Sequence, residues 1–269
     1  MVRRISLLYI SILTICCCSC DKVIDVKLDD TTARIVIEGE ITTAEGPYQV
    51  SITESANFTD NNTFTVRDDA KVMISDLTAG TAETLNNIGS GLYLTSSTKG
   101  TGGHAYLLTV TLAGKTYTST STIPTKAVKL TGLLTEPSAL DATKIYMVPV
   151  FTDPVGKGNY YRIRQSVNGT LIKGSYVKDD QATDGWTYNT SLYYDTSSDS
   201  GNPIIHSGDT LTAELQCVDE GVYTYFRTLS TTIAQDAATP ANPISNISNG
   251  ALGVFNACQS SKISGKAKF

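Results

Sequence analysis

Histidine is scarce in this chain: His104 and His206 are the only two, and neither sits in a cysteine or carboxylate pattern. A catalytic zinc site takes about three protein ligands at recurring spacings, so a zinc enzyme of that type is excluded. A G-x-S-x-G elbow, a P-loop and a dinucleotide fingerprint are also missing. No catalytic residue, metal ligand or cofactor is therefore assigned, and the chain is read as a non-enzyme. Basic residues are in deficit, 21 against 26 acidic ones for a net charge of −5. Such a surface does not suit nucleic-acid phosphates or a basic amphipathic membrane helix. Long apolar runs are absent too, none reaching the ~18 residues of a transmembrane helix.

Cysteine is sparse and unevenly placed, with four of the six in "TICCCSC" at Cys16, Cys17, Cys18 and Cys20. Arg3 and Arg4 followed by the apolar run Ile5–Ile15 read as a secretory leader. Three consecutive cysteines lack zinc-site spacing, whereas bacterial lipoproteins are cut immediately before a cysteine that is then acylated. The small Ser19 favours Cys20 as the lipidated residue, with Cys18 as the alternative. The expected layout is a signal peptide over 1–19 and a lipidated, acidic tether over 20–33 that holds the protein on a membrane. In the rest of an exported chain, Cys217 and Cys258 are either a disulfide, worth ~4 kcal/mol in the chain-entropy model, or two buried free thiols.

What is present is period-two alternation. In "RIVIEGEI" Ile35, Ile37 and Ile41 share one side, in "YQVSITE" Tyr48, Val50 and Ile52, and in "YLLTVTL" Tyr106, Leu108, Val110 and Leu112. Separated by Gly, Pro, Asn and Asp, these are half-buried antiparallel strands. They predict an immunoglobulin- or fibronectin-like β-sandwich over 34–123. Alternation loosens over 124–144, which is read as a linker. A second β-rich domain is expected over 145–269, with a type I′ hairpin at Asn168-Gly169. It carries one helix near 219–235, with Asp219 as N-cap and a stripe of Val222, Phe226, Leu229 and Ile233.

The remaining candidates for chemistry are few. Asp68-Asp69 and Asp179-Asp180 read as turn residues. Asp195, Ser197 and Asp199 lack the glycine and terminal glutamate of a calcium loop. Trp186, Tyr188, Tyr193 and Tyr194 crowd a polar stretch, where rings flanked by Asn, Asp and Thr either pack inward or contact a glycan or protein partner. The run "TPANPISNISNGALG" is too rich in Pro, Asn and Gly for a helix or a strand. Asn side chains bonded to nearby backbone would hold it in shape, tying the helix to the sheet.

In order along the chain, "CDKVIDVKL", "RIVIEGEIT", "GPYQVSIT", "AKVMISD", "GKTYTST", "GNYYRIR", "SGDTLTAELQCVDEGVYTYFRTL" and "NPISNISNGALGVFNA" resemble a family of Bacteroidota lipoproteins, domain of unknown function 4249. The resemblance runs from Cys20 to about Ala257. It implies an outer-membrane, lipid-anchored protein of the cell surface, in the company of TonB-dependent receptors, and it implies no chemistry. In that lineage Asp30-Thr31-Thr32 and Asp209-Thr210-Leu211 also look like short O-glycosylation sequons at Thr31 and Thr210. The expected function is an accessory or ligand-binding partner of such a receptor; the alternative is a stand-alone glycan-binding or adhesive lipoprotein.

Overall fold

The computed structural model describes residues 33–55, 64–233 and 242–269. Cys18, Cys20 and Thr31 lie outside the described residues. The strands are β1 (Ile35–Thr42), β2 (Gln49–Glu54), β3 (Lys71–Asp76), β4 (Thr81–Thr84), β5 (Asn86–Gly89), β6 (Leu92–Leu94), β7 (Ala105–Leu112) and β8 (Lys115–Thr122). They continue with β9 (Gly132–Pro137), β10 (Ile145–Thr152), β11 (Tyr160–Val167), β12 (Thr170–Leu171), β13 (Tyr176–Asp179), β14 (Thr187–Tyr188) and β15 (Thr210–Val218). Helix α1 (Glu220–Ile233) follows, and β16 (Leu252–Lys266) closes the chain.

A nine-stranded sheet in the order β12-β11-β15-β16-β1-β2-β6-β5, with β13 also on β11, runs through both halves of the chain. The four-stranded sheet β4-β3-β7-β8 and the three-stranded sheet β14-β10-β9 complete the fold. Ile37, Ile41, Val50 and Ile52 meet Val72, Ile74, Tyr106, Leu108 and Val110 in one buried core, where the four-stranded sheet covers one part of the long sheet. Phe151 meets Tyr161, Ile163, Ala213 and Leu215 in a second core, under the three-stranded sheet. The architecture is mainly β with one helix, as the alternation predicts.

The expected boundary over 124–144 takes a different form. Residues 33–269 form one compact unit, and β9 occupies the middle of the supposed linker. The reason is β16. Its first half pairs in parallel with β1, from Val36 opposite Leu252 to Thr42 opposite Cys258. Its second half pairs antiparallel with β15, from Cys217 opposite Gln259 to Thr210 opposite Lys266. A parallel partner arriving from more than two hundred residues away leaves no mark in local alternation. Gly253 makes the close approach feasible: its φ is 97°, and a Cβ there would lie 2.0 Å from the Ile37 carbonyl oxygen.

Helix α1 lies on the face of the long sheet opposite the two cores, with Val222, Tyr225 and Phe226 on Val218, Val254 and Cys258. Leu229 packs at the edge of this cluster; the side chain of Ile233 lies outside the described residues. Asp219 caps the helix by accepting from Val222 N at 2.9 Å, and its other oxygen takes Ser121 Oγ at 2.6 Å and Thr122 N at 2.9 Å. One carboxylate thus satisfies a helix-terminal amide and ties the helix to β8. The segment before β16 is held by amide side chains. Asn246 both donates to Phe255 O at 2.8 Å and accepts from Phe255 N at 2.9 Å, and Asn249 donates to Thr116 O at 2.6 Å.

Candidate functional site

Alternation along the long sheet sorts its side chains by face. Ile37, Ala213, Leu215, Tyr161, Ile163 and Phe255 enter the cores. Their neighbours Glu38 and Glu40 of β1, Arg162 and Arg164 of β11, Glu214 and Gln216 of β15, and Asn256, Ser260 and Lys262 of β16 share the other face with α1. Register brings them together, since Arg162 is opposite Gln216, Arg164 opposite Glu214, Glu214 opposite Lys262 and Glu40 opposite Asn256. With Phe226 on one side and Ala44, Glu45, Pro47 and Tyr48 on another, all of these but the fully buried Gln216 line a cleft of ≈ 530 Å³, a volume within the roughly 300–1,000 Å³ of small-molecule sites.

The floor is hydrogen-bonded but not closed. Glu40 Oε2 accepts from Gln216 Nε2 and Asn256 Nδ2, each at 3.1 Å, and Gln216 Oε1 accepts from Arg162 and Asn256, each at 3.2 Å. Ser260 Oγ donates to Glu214 at 2.6 Å. Five charges of alternating sign run across this floor as Arg162, Glu40, Arg164, Glu214 and Lys262, with successive contacts of 3.6, 3.7, 3.5 and 3.7 Å. Charge-assisted bonds close at about 2.7–2.9 Å, so these contacts are long, and of the four only Arg164 to Glu214 is a hydrogen bond. Arg164 Nε and Asn256 Oδ1 are buried without a hydrogen-bond partner. The Arg162 guanidinium sits 3.6 Å over the Phe226 ring. Burial pulls its pKa below the ordinary value, and the Glu40 carboxylate opposes that.

The aromatic residues named from the sequence are divided. Trp186 and Tyr193 are 63% and 54% exposed. Tyr188 instead stacks on Phe151 at 4.7 Å between centroids and donates to Asp179 O at 2.9 Å. Tyr194 is buried, edge-on to Tyr146 at 5.3 Å, and donates to Pro203 O at 2.9 Å. Tyr194 therefore packs inward and Tyr188 lies half-buried against the second core, the first of the two placements the sequence leaves open. Their hydroxyls find backbone carbonyls, which lets polar-flanked tyrosines turn inward.

Cys217 and Cys258 are free and buried, the second of the two states the sequence leaves open, and no disulfide joins them. Cys217 is opposite Gln259, so Cys258 stands one residue off and projects from the opposite face of the sheet. Burial pushes the Cys217 thiol up to about 11 and the Cys258 thiol well above its ordinary value. Both are inert by this measure. Thr210 Oγ1 accepts from Lys266 Nζ at 2.7 Å.

The structure also gathers Asp153, Asp180 and Asp184, with carboxylate oxygens all within 4.8 Å of one another. These are the described residues best placed to hold a cation. They also organise the surrounding turns. Asp153 accepts from Tyr161 Oη and from Gly185 N, Asp180 from Gly158 N and Asn159 N, and Asp184 from Gly156 N. Burial raises the Asp180 pKa, but the donations from Asn159 and Gly158 outweigh it and hold it below the usual carboxylate value. His104 pairs with Asp76 at 2.8 Å and His206 approaches Asp209 at 3.6 Å, far apart in sequence and in separate loops.

Sequence reasoning missed the cleft because each of its strands, taken alone, reads as an ordinary solvated face. The one local signal is the like-charged pair at alternate positions in "EGE" and, with the opposite sign, in "RIR".

The description that fits the chain is "Domain of unknown function (DUF4249)", matched over residues 21–264, and the chain belongs to that family. No protein of curated function matches it. Among solved structures, a two fibronectin type-III domain segment from chicken tenascin is similar at 14% identity and a TM-score of 0.22, over 70% of this chain and 92% of that one.

Proposed function

We propose that this DUF4249 member is an outer-membrane lipoprotein of the cell surface, anchored through Cys20, that binds a ligand without transforming it and serves a TonB-dependent uptake receptor. The observation that carries the binding reading is the open, charge-alternating cleft of ≈ 530 Å³ beside α1. No histidine or cysteine is among its lining residues, while Glu40 Oε2 accepts from two side-chain amides and Glu214 Oε1 from the Ser260 hydroxyl. Fixed donors and acceptors of this kind suit the orientation of a bound ligand. The leader supports the anchor: a chain with one lipid site and an acidic tether of about a dozen residues keeps its folded unit within tens of ångströms of the membrane. Tethering raises the effective concentration of a weak contact with a neighbouring receptor.

Crosslinking and pull-down from intact membranes tests this function. Recovery of a large outer-membrane receptor supports it, and recovery of the lipoprotein alone overturns it. A second reading, a stand-alone glycan-binding or adhesive lipoprotein, is favoured by the exposed Trp186 and Tyr193. Under that reading Trp186→Ala abolishes adhesion to a polysaccharide and no receptor is recovered.

A further inference from the structure

The chemistry of the cleft floor restricts what can occupy it. Arg162, Glu40, Arg164, Glu214 and Lys262 alternate in sign at 3.5–3.7 Å. A ligand atom bridging any two neighbours touches one cation and one carboxylate. For a charged group the attraction to one is offset by repulsion from the other at nearly the same distance. A neutral hydroxyl gains from both, because it accepts from the guanidinium or ammonium and donates to the carboxylate.

The two groups left without a partner point the same way. Arg164 Nε is an orphan donor and Asn256 Oδ1 an orphan acceptor. An anion supplies only acceptors and a cation only donors, whereas a hydroxyl, or a water held by one, supplies both.

Resting on the binding reading of this cleft, we infer that its ligand is an uncharged, hydroxyl-rich molecule, a mono- or oligosaccharide, and that the alternating charges disfavour acidic and amino analogues, each of which carries charge of one sign. The floor is charge-rich yet selects for neutrality. Affinity then depends little on ionic strength, because no net ligand charge is available to screen.

Calorimetric titration of the full chain in detergent tests the assignment with defined probes. Neutral probes are maltose, cellobiose, lactose, xylobiose and mannobiose with their longer oligomers; charged ones are digalacturonate and the glucosamine disaccharide. Binding by at least one neutral probe, insensitive to added salt and stronger than by any charged probe, is expected. Glu40→Gln and Arg164→Met should each weaken it about tenfold to a hundredfold, as the loss of a hydrogen bond to a charged group does. Where either variant fails to melt cooperatively, Lys262→Gln, whose ammonium is largely exposed, provides the same readout with the fold intact. Absence of binding by every neutral probe up to millimolar concentration, tighter binding of a charged probe, or indifference of neutral binding to Lys262→Gln and Glu40→Gln overturns the assignment. Receptor recovery without saccharide binding removes the ligand class alone, and saccharide binding without receptor recovery removes the receptor partnership alone.

Discussion

Replacing Phe226 by alanine tests how the helix, the sheet and the cleft depend on one another. The ring is 7% exposed and packs with Val222, Tyr225, Val254 and Cys258. It lies edge-on to Tyr225 at 5.0 Å between centroids, and Arg162 stands 3.6 Å over its face. Removing a buried phenyl ring costs about 3–5 kcal/mol when the site cannot collapse, and here β15 and β16 form a rigid floor. A guanidinium over a desolvated ring adds about 0.5–2 kcal/mol. Phe226→Leu separates the two contributions. It keeps most of the buried volume and should cost about 2 kcal/mol, combining an imperfect shape match with loss of the cation-ring contact. Urea denaturation followed by circular dichroism reads each value as a shifted midpoint at unchanged slope. A cycle with Arg162→Met should return a coupling of about 1 kcal/mol between the two side chains. A cost below about 1 kcal/mol for Phe226→Ala, against the range for buried rings, would refute the docking of α1 on this face. A Phe226→Leu cost unchanged in the Arg162→Met background would refute the contact.

The carboxylate of Glu83 accepts from the amides of Ser96, Ser97 and Thr98 and from two of their hydroxyls. Burial raises its pKa, but the donations from Ser96 and Thr98 hold it down to about 2. Its contribution is therefore present above its unfolded value of about 4.3 and lost as pH falls toward 2. Glu83→Gln should be less stable than the parent at neutral pH, with the gap narrowing as pH falls through that window; a gap that stays constant from neutral pH to 2 contradicts the clamp. Cys217 and Cys258 should remain unlabelled by a thiol reagent until the protein unfolds, and a reductant should not move the melting temperature; a reducible crosslink would contradict the register. Gly253→Ala forces a Cβ onto the Ile37 carbonyl at positive φ and should destabilise by about 2–5 kcal/mol, read by thermal melting, and a neutral effect would displace the β1-β16 pairing. Cys20→Ala should release the protein from membranes in fractionation, while retention with Cys18 intact moves the anchor to Cys18.

The fold class was legible because strands declare themselves locally. Tyr106, Leu108, Val110 and Leu112 alternate with Leu107, Thr109 and Thr111, and β7 follows that pattern from end to end. Asn168-Gly169 encodes its hairpin in the same local way, with φ of 50° and 84°. Asp219 and the apolar spacing from Val222 to Leu229 specify the helix, which runs Glu220–Ile233. What failed was division of the chain. The looseness of 124–144 is real as a break in alternation, but β16 passes from one half of the structure to the other. That parallel pairing depends on contacts hundreds of residues apart, which no window of sequence contains.

The site was hidden for a related reason. A strand with charges at every second position has two physical meanings, a face open to bulk water or a face whose charges answer one another, and only its neighbours decide between them. Arg162 and Arg164 would read as solubilising residues on an edge strand. Placed between β12 and β15, with Glu214 opposite Arg164 and Glu40 two strands further on, they become alternate members of an ordered array. Conversely, the crowded rings of Trp186, Tyr188, Tyr193 and Tyr194 attract notice in sequence, yet two of the four are spent on packing. Aromatic residues reveal themselves by type, whereas a polar site built across four strands is defined by register. In a sheet protein of this kind a candidate site is sought by asking which charges are only loosely paired once the strands are in order, and here that question singles out the floor beside α1.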